Sequence, residues 1–226
     1  MIIITGVNGG IGNYLLKKLA KFDKVIGIYN KKKPKVINNK IFLYKLDLTD
    51  YNQIQKFINK FSSKFKNITL INCATFKNEQ FTVDINLEDW NHTVGVNLTG
   101  AMLITKELLK YMINNKFGRI VFFSSSIALN GSPGTASYTT TKAGIIGLSK
   151  TISKEYARYN ITSNVINLGA FQTGLYNKLD AKYKKKIISS IPSKKLGELN
   201  NISNCINFLI ESEFVNGSVI DITGGA

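Results

Sequence analysis

The fold of this chain is decided by its first twelve residues, Met1-Ile2-Ile3-Ile4-Thr5-Gly6-Val7-Asn8-Gly9-Gly10-Ile11-Gly12. The run before the first glycine is almost wholly apolar, which is typical of a strand buried on both faces of a parallel sheet. The glycines permit positive φ angles and allow a ligand to approach the backbone closely. A helix is predicted to follow, and its first N–H groups would face an anion. The stretch therefore predicts a strand, a turn and a helix that together hold a pyrophosphate.

Short apolar runs alternate with helix-period segments along the rest of the chain. Strands are predicted at residues 1–5, 24–29, 41–46, 68–73, 119–124, 162–167 and 218–222. Amphipathic helices are predicted at residues 12–21, 51–65, 88–114, 138–159 and 201–212. This alternation predicts an α/β fold, a Rossmann-like doubly wound parallel sheet of about seven strands with helices on both faces. Because no repeat or linker divides the chain, residues 1–226 are expected to form a single domain.

Two basic stretches fall outside this alternation, and both follow strands. The first spans residues 30–39, and the second is an insertion at about 174–198, before the last helix. Their lysines include Lys31, Lys32, Lys33, Lys35, Lys182, Lys184, Lys185, Lys186, Lys194 and Lys195. Ligands of open α/β sheets bind beyond the carboxyl ends of the strands, so both stretches are expected on the rim of a binding site.

The composition limits the class of protein. A formal net charge of +16 would favour anionic ligands, but no nucleic-acid recognition motif accompanies it, so no specific nucleic-acid partner is expected. No run approaches the roughly 18 apolar residues that would span a membrane, and no basic leader precedes the first strand, so we expect a cytoplasmic protein. Cys73, Cys205 and His92 have no metal-site spacing, and we expect two reduced thiols and no metal.

A second group of candidate residues lies further along the chain. Tyr138 and Lys142 are separated by three threonines in a predicted helix, which puts both side chains on one face. Ser125 lies thirteen residues before Tyr138, at the end of an apolar run, and Asn97 lies in Val-Asn-Leu-Thr-Gly. A tyrosine has a pKa of about 10, which a nearby cation lowers, so this pair is suited to moving a proton. Each residue alone could be a surface or turn residue, but the set indicates an active site.

The glycine turn, Asn97, Ser125, Tyr138 and Lys142, in this order and spacing, resemble the short-chain dehydrogenase/reductase family nearly end to end. Within that family, the overall pattern of motifs resembles that of the bacterial 3-oxoacyl-acyl-carrier-protein reductases. The resemblance implies an NAD(P)H-dependent oxidoreductase that interconverts a ketone and a secondary alcohol. It implies that Tyr138 is the general acid and base and that Lys142 also bonds the nicotinamide ribose. It further implies that Ser125 orients the substrate oxygen and that Asn97 fixes a water linked to Lys142.

The same resemblance assigns the cofactor contacts. They are Gly6, Asn8, Gly9, Gly10, Ile11 and Gly12 in the turn, Tyr29, Asn30 and Lys31 after the second strand, then Asp47, Leu48, Asn72, Ala74, Tyr138, Lys142, Gly169 and Thr173. Asp47 could equally cap the helix predicted from residue 51, because aspartate is favoured at helix starts. Cys73, Thr75 and Leu168 depart from the family pattern, which has Asn, Gly and Pro in these places.

Cofactor preference depends on the residues after the second strand. An acidic residue about twenty positions beyond the turn would bind the ribose 2′-hydroxyl and select NAD. No carboxylate occurs between Asp23 and Asp47, and a 2′-phosphate would meet Asn30, Lys31 and Lys32. We therefore expect NADP(H), with NAD(H) as the alternative, although the lysines could also be a solvated loop.

The family resemblance implies that the insertion at about 174–198 acts as a substrate loop. The sequence leaves the substrate itself open, because a fold does not determine what its site accepts. The basic rim would suit an acidic carrier protein, and we expect it to include Lys116, Arg119 and Arg158. A 3-oxoacyl thioester of acyl carrier protein or CoA is therefore the first expectation. The same charges would suit a phosphorylated or nucleotide-linked sugar or another small polar carbonyl. A non-catalytic dinucleotide-binding regulatory protein is the third alternative.

The chain is also expected to assemble with copies of itself. The predicted helices at 88–114 and 138–159 carry more apolar residues than one buried face requires. The family resemblance implies that these helices pair across a twofold axis. We therefore expect a homodimer or a homotetramer.

Overall fold

The computed structural model describes residues 1–177 and 179–226 and contains one sheet of seven parallel strands. The strands are β1 (Ile2–Thr5), β2 (Val25–Tyr29), β3 (Ile41–Lys45), β4 (Ile68–Asn72), β5 (Gly118–Ser125), β6 (Ile161–Leu168) and β7 (Val219–Ile222). Their order across the sheet is β3-β2-β1-β4-β5-β6-β7. The predicted doubly wound parallel sheet is confirmed, and each strand lies within two residues of its predicted bounds.

Helices cover both faces of the sheet. They are α1 (Gly10–Leu19), α2 (Tyr51–Phe61), α3 (Leu87–Val94), α4 (Gly100–Asn115), α5 (Ile127–Asn130), α6 (Ala136–Tyr156), α7 (Gly174–Asn177), α8 (Ala181–Ser190) and α9 (Leu199–Glu211). The single helix predicted at 88–114 is wrong in one respect, because a π-helical turn at Gly95–Thr99 separates α3 from α4. In the described part of the chain, no helix is long and apolar enough to cross a membrane.

Two apolar cores result from the alternation of side chains along each buried strand. In β1, Ile3 faces the core formed with α2, α4 and α6, which contains Phe57 and Phe122. Ile2 and Ile4 face the opposite core, formed with α1 and α9. Because both faces are covered, all four residues of β1 are buried, as its apolar composition predicts.

The strand order reverses at β1, which places a crevice at one edge of the sheet. β1 pairs with β2 on one side and with β4 on the other, so the chain leaves β1 and β4 in opposite directions. Thr5 and Asn72 stand side by side at the carboxyl ends of these two strands. Open α/β sheets bind ligands at this topological switch point.

Three basic residues that were expected on the rim lie at the other edge of the sheet. Lys116 and Arg158 precede the amino ends of β5 and β6. Arg119 is only 4% exposed, and its guanidinium donates to the carbonyl oxygens of Ile210 at 3.0 Å and Asn160 at 2.9 Å. The expectation that these residues face a carrier protein at the active-site rim is therefore wrong, and Arg119 instead ties β5 to α9.

Candidate active site

The glycine turn packs against the end of β4 and leaves the start of α1 open. Gly6 has φ +69°, and a Cβ there would lie 2.6 Å from the Cα of Ala74, so no larger residue fits without a shift. Gly9 precedes α1 in an extended conformation, and no side chain among the described residues caps the helix there. The free N–H groups of α1 and the close backbone fit a pyrophosphate at this point. Asn8, Gly9 and Gly10 are exposed, as such a contact requires.

The polar groups after β2 and β3 are bonded to each other. The amide nitrogen of Asn30 donates to Asp47 at 3.0 Å, and the backbone and hydroxyl of Thr49 donate to the other Asp47 oxygen. Burial would raise the pKa of Asp47, but these hydrogen bonds outweigh it and lower the pKa. The alternative role for Asp47 as a helix cap is wrong, because Asp50 caps α2 by accepting from the backbone of Asn52 and Gln53.

The segment after β4 is fixed by its neighbours. The backbone N–H of Ala74 donates to the hydroxyl of Thr5 at 3.0 Å, which holds Ala74 at the crevice. Asn72 is buried, and its amide nitrogen lies 3.5 Å from the hydroxyl of Thr105 on α4. The Asn72 amide nitrogen is therefore turned toward α4, while its carboxamide oxygen has no hydrogen-bond partner among the described residues. The predicted cofactor contact of Asn72 stays a prediction.

Packing requires a glycine at position 169, independently of any ligand. A Cβ at this position would lie 2.8 Å from the Cα of Thr223, and its N–H donates to Ile222 at 3.0 Å. The close approach of the chain after β7 thus requires glycine at the end of β6. Thr173 is half-buried a few residues further on, and the predicted cofactor contacts of Gly169 and Thr173 stay predictions.

Tyr138, Lys142 and Ser125 lie close together at the carboxyl edge, where β5 ends at Ser125 and the first turns of α6 carry Tyr138 and Lys142. Burial raises the pKa of the Tyr138 phenol, while the hydroxyls of Ser125 and Thr75 act to lower it. The net shift is upward, which differs from the lowering expected from the spacing of Tyr138 and Lys142. Desolvation of the phenol is the larger effect here, and the phenol therefore stays protonated at neutral pH.

The neighbouring serine is distinguished from Ser125 by its burial. Ser124 is 2% exposed, and its hydroxyl donates to the backbone oxygen of Lys142 at 2.9 Å. Ser125 is half-buried beside Tyr138. Of the two serines, Ser125 is therefore the one beside the Tyr138 phenol, and its contact with a substrate stays a prediction.

Lys142 lies beneath Tyr138. Its ammonium donates to the backbone oxygen of Phe123 at 2.9 Å and lies 5.5 Å from the centroid of the Tyr138 ring. Lys142 is only 5% exposed, and burial lowers its pKa to about 8. The side chain is therefore cationic at pH 7 but close to the range in which it releases its proton.

Asn97 lies in the π-helical turn and holds two segments together. Its carboxamide oxygen accepts from the backbone of Phe76 at 2.7 Å, and its nitrogen donates to the Phe76 oxygen at 2.8 Å and to the Thr141 hydroxyl at 3.1 Å. Both N–H bonds of the side chain are thus used by protein atoms. The predicted water would have to bind another part of the residue, such as its backbone.

Two residues lie near Tyr138 that the sequence motifs do not identify as site residues. Thr75 was noted only as a departure from a family glycine, yet its hydroxyl acts on the Tyr138 phenol. The ammonium of Lys77 lies 5.7 Å from the centroid of the Tyr138 ring. No sequence signal selects Lys77, because its position depends on the course of the loop after β4.

Two cavities open at the opposite edge of the sheet. Their volumes are about 300 and 520 Å³, and Met1 lines both. They are bordered by residues that precede strands, including Lys24 and Asn67. Neither cavity contains a residue of the Tyr138 cluster, so the chemistry is assigned to the crevice at the carboxyl edge.

Comparisons with known proteins identify the family of the chain. Residues 1–184 match the sequence family described as short chain dehydrogenase. The chain is 34% identical to a 3-oxoacyl-[acyl-carrier-protein] reductase of Buchnera aphidicola, covering 99% of this chain and 95% of that protein. It is 33% identical to the Thermotoga maritima protein of the same name, covering 99% and 96%. The solved structure of ElxO with NADP bound superposes with a TM-score of 0.89 at 28% identity, covering 99% of this chain and 97% of that one.

The doubly wound sheet, the open glycine turn and the Tyr138 cluster define a dinucleotide-dependent oxidoreductase. The family match covers most of the chain and agrees with that class. The chain belongs to the short-chain dehydrogenase family and is an NAD(P)-dependent oxidoreductase of that family.

Proposed function

We propose that this protein reduces the keto group of a 3-oxoacyl thioester of acyl carrier protein or CoA, with NADPH as cofactor. The observation that carries the proposal is the meeting of Tyr138, Ser125 and Lys142 at the carboxyl edge, beside the open glycine turn. The reductases of Buchnera aphidicola and Thermotoga maritima supply the choice of substrate, since each is about one-third identical over nearly the full length.

Ser125, Tyr138 and Lys142 have different roles in the transfer of the proton. NADPH, when bound at the glycine turn, supplies the hydride that the carbonyl carbon accepts. Ser125 donates a hydrogen bond to the substrate oxygen and orients it toward Tyr138. Tyr138 gives its phenolic proton to the developing alkoxide, and its raised pKa keeps it in the acid form that reduction requires. Lys142 stabilises the resulting phenolate and, with its pKa of about 8, can return a proton to it.

Support for NADPH comes from the loop after β2 and from ElxO, whose structure contains NADP. Lys31 and Lys32 are exposed at the carboxyl edge, where a 2′-phosphate of a cofactor lying along the turn would arrive. The carboxylate of Asp47 already accepts hydrogen bonds from Asn30 and Thr49. A 2′-phosphate thus meets the cationic loop, and NADH gains no such contact.

Changing Lys31 and Lys32 together to alanine is expected to weaken NADPH binding by about tenfold or more, because two charge-assisted contacts are lost. Binding of NADH should be nearly unchanged. The measurement is titration of each cofactor by fluorescence. The matched control is the double change of Lys64 and Lys66 to alanine, which removes two exposed lysines at the amino edge. Equal or better affinity of the unmodified protein for NADH would contradict the assignment.

A sugar or another small polar carbonyl is the second candidate substrate. This candidate is kept because helix α8 has no buried residue and carries the exposed lysines Lys182, Lys185 and Lys186, which are open to an anionic substrate. These charges would suit a phosphorylated substrate as well as an acidic carrier protein. NADPH oxidation assayed with 3-oxoacyl thioesters and with phosphorylated keto-sugars separates the candidates. Turnover of the sugars alone would overturn the thioester proposal.

We also propose that the protein is a homotetramer, or at least a homodimer, through α4 and α6. Several apolar side chains of these helices and of the π turn are only half-buried: Leu98, Met102, Leu103, Ile146 and Leu148. A second copy would cover them, with the twofold symmetry that is commonest for such assemblies.

Light scattering of the active enzyme at micromolar concentration is expected to give a mass of two or four chains. Changing Leu103 and Ile146 together to glutamate should shift the mass toward that of one chain, because the charges would be buried in the interface. A mass of 25.2 kDa for the active unmodified protein would contradict the assembly.

A further inference from the structure

The loop between β4 and α3 is fixed at several points around the active site. Ala74 is held by Thr5, and Phe76 is held by the carboxamide of Asn97 through both its N–H and its carbonyl. Gln80 donates from its backbone to Gly134 at 2.9 Å and from its side chain to Asp89 at 3.1 Å. The intervening residues therefore have a defined course past Tyr138.

Lys77 lies on this fixed loop, and its side chain is placed at the mouth of the site. Its ammonium is 5.7 Å from the centroid of the Tyr138 ring and is hydrogen-bonded to the carboxylate of Glu79. The Lys77 side chain is 24% exposed, and that of Glu79 is 62% exposed. Among the described residues only Glu79 accepts a hydrogen bond from this ammonium, so two of its three N–H bonds remain for a ligand that enters beside Tyr138.

Tyr138 is consequently flanked by two ammonium groups with different surroundings. Lys142 is buried and bonded to the backbone of β5, whereas Lys77 meets solvent. A substrate ketone bonded to the Tyr138 hydroxyl would therefore lie near two ammonium groups, of which that of Lys77 is the more exposed to solvent.

We propose that Lys77 is a specificity-determining residue, which donates a hydrogen bond to a second oxygen placed two carbons from the reacting ketone. The inference rests on the proposed function, because a 3-oxoacyl thioester carries its thioester oxygen in that relation. The two carbonyl groups are separated by one methylene, so both oxygens can lie on the same side of the substrate. Tyr138 and Ser125 bind the first oxygen, and Lys77 binds the second.

Two isomeric substrates test the proposal, the 3-oxohexanoyl and 5-oxohexanoyl thioesters of N-acetylcysteamine. The two compounds have the same molecular formula and the same N-acetylcysteamine group. In the 5-oxo isomer, however, the thioester oxygen is too far from the ketone to reach Lys77. Lys77→Met is expected to lower kcat/KM for the 3-oxo isomer by about tenfold or more, the usual worth of a charge-assisted hydrogen bond. Its effect on the 5-oxo isomer should stay within experimental error. The difference in intrinsic reactivity between the isomers cancels, because each variant is compared with the unmodified enzyme on the same substrate.

Three further variants of the protein serve as controls in this experiment. Lys77→Arg retains a cationic donor and should keep most of the preference for the 3-oxo isomer. Lys66→Met removes an exposed lysine at the amino edge and should change neither rate. Glu79→Gln leaves Lys77 in place and should preserve the selectivity. Thermal unfolding of each variant verifies that the fold is intact.

The outcomes separate this inference from the proposed function. Loss of the 3-oxo rate alone in Lys77→Met, with recovery in Lys77→Arg, supports the role of Lys77. Equal effects on both isomers, or none on either, would overturn it while the thioester reductase function stands. An unmodified enzyme that reduces neither isomer would overturn the proposed substrate class and the Lys77 inference together.

Discussion

Replacing Tyr138 with phenylalanine is expected to lower kcat by about 10²-fold or more, because the change removes the proton donor and little else. The phenol lies beside the Ser125 hydroxyl, and the Lys142 ammonium is 5.5 Å from the centroid of the Tyr138 ring. Phenylalanine can neither give a proton to the substrate oxygen nor pass one on from Lys142. Cofactor affinity should stay close to that of the unmodified protein, since the ring and its packing are retained.

Steady-state kinetics together with NADPH titration checks this expectation. Tyr159→Phe is the matched control, because Tyr159 lies at the far end of the helix, beside Arg158. A Tyr138→Phe protein that keeps more than about a tenth of the unmodified kcat would contradict the assigned role.

Replacing Lys142 with methionine is expected to reduce both turnover and cofactor affinity, and to remove a pH dependence. The buried ammonium is cationic below its pKa of about 8 and neutral above it. In the unmodified enzyme, kcat/KM for NADPH should therefore fall as the pH rises through about 8, since this quantity reports the free enzyme. Methionine has similar length and no charge, so it should lower kcat by about 10²-fold and abolish that decline.

The pH profile is measured for both proteins with the same carbonyl substrate. Lys154→Met serves as the control, because Lys154 is exposed in the last turn of the same helix. A decline above pH 8 that persists in Lys142→Met would show that another group is responsible.

The sheet could be predicted from the sequence because its strands are apolar on both faces. β1 and β4 are wholly buried, and the apolar runs that encode them have clear ends. The π turn at Gly95–Thr99 could not be predicted, because apolar residues continue through Val94, Val96 and Leu98 without a break in pattern. Helix α8 lies in the predicted insertion and could not be recognised as a helix, because its four lysines leave no buried apolar stripe in the sequence.

Site residues could be predicted from the sequence where their spacing along a helix or strand decides their position. Tyr138 and Lys142 are one helical turn apart, and Ser125 ends the neighbouring strand. Positions that depend on tertiary contacts were not predictable. Lys77 reaches Tyr138 only because Asn97 fixes the loop, and Arg119 is buried only because carbonyl groups of three chain segments converge on it.

The central claim is that this site transfers hydride from NADPH to a ketone while Tyr138 supplies the proton. It is tested most directly by incubating the protein with a 3-oxoacyl thioester and NADPH that is deuterated at C4 on the face used for transfer. Mass spectrometry should find one deuterium on the new carbinol carbon of the 3-hydroxyacyl product, at one product for each NADPH consumed. The Tyr138→Phe protein should form almost none. Tight NADPH binding without a labelled alcohol from any carbonyl offered would contradict the claim and indicate a non-catalytic dinucleotide-binding protein.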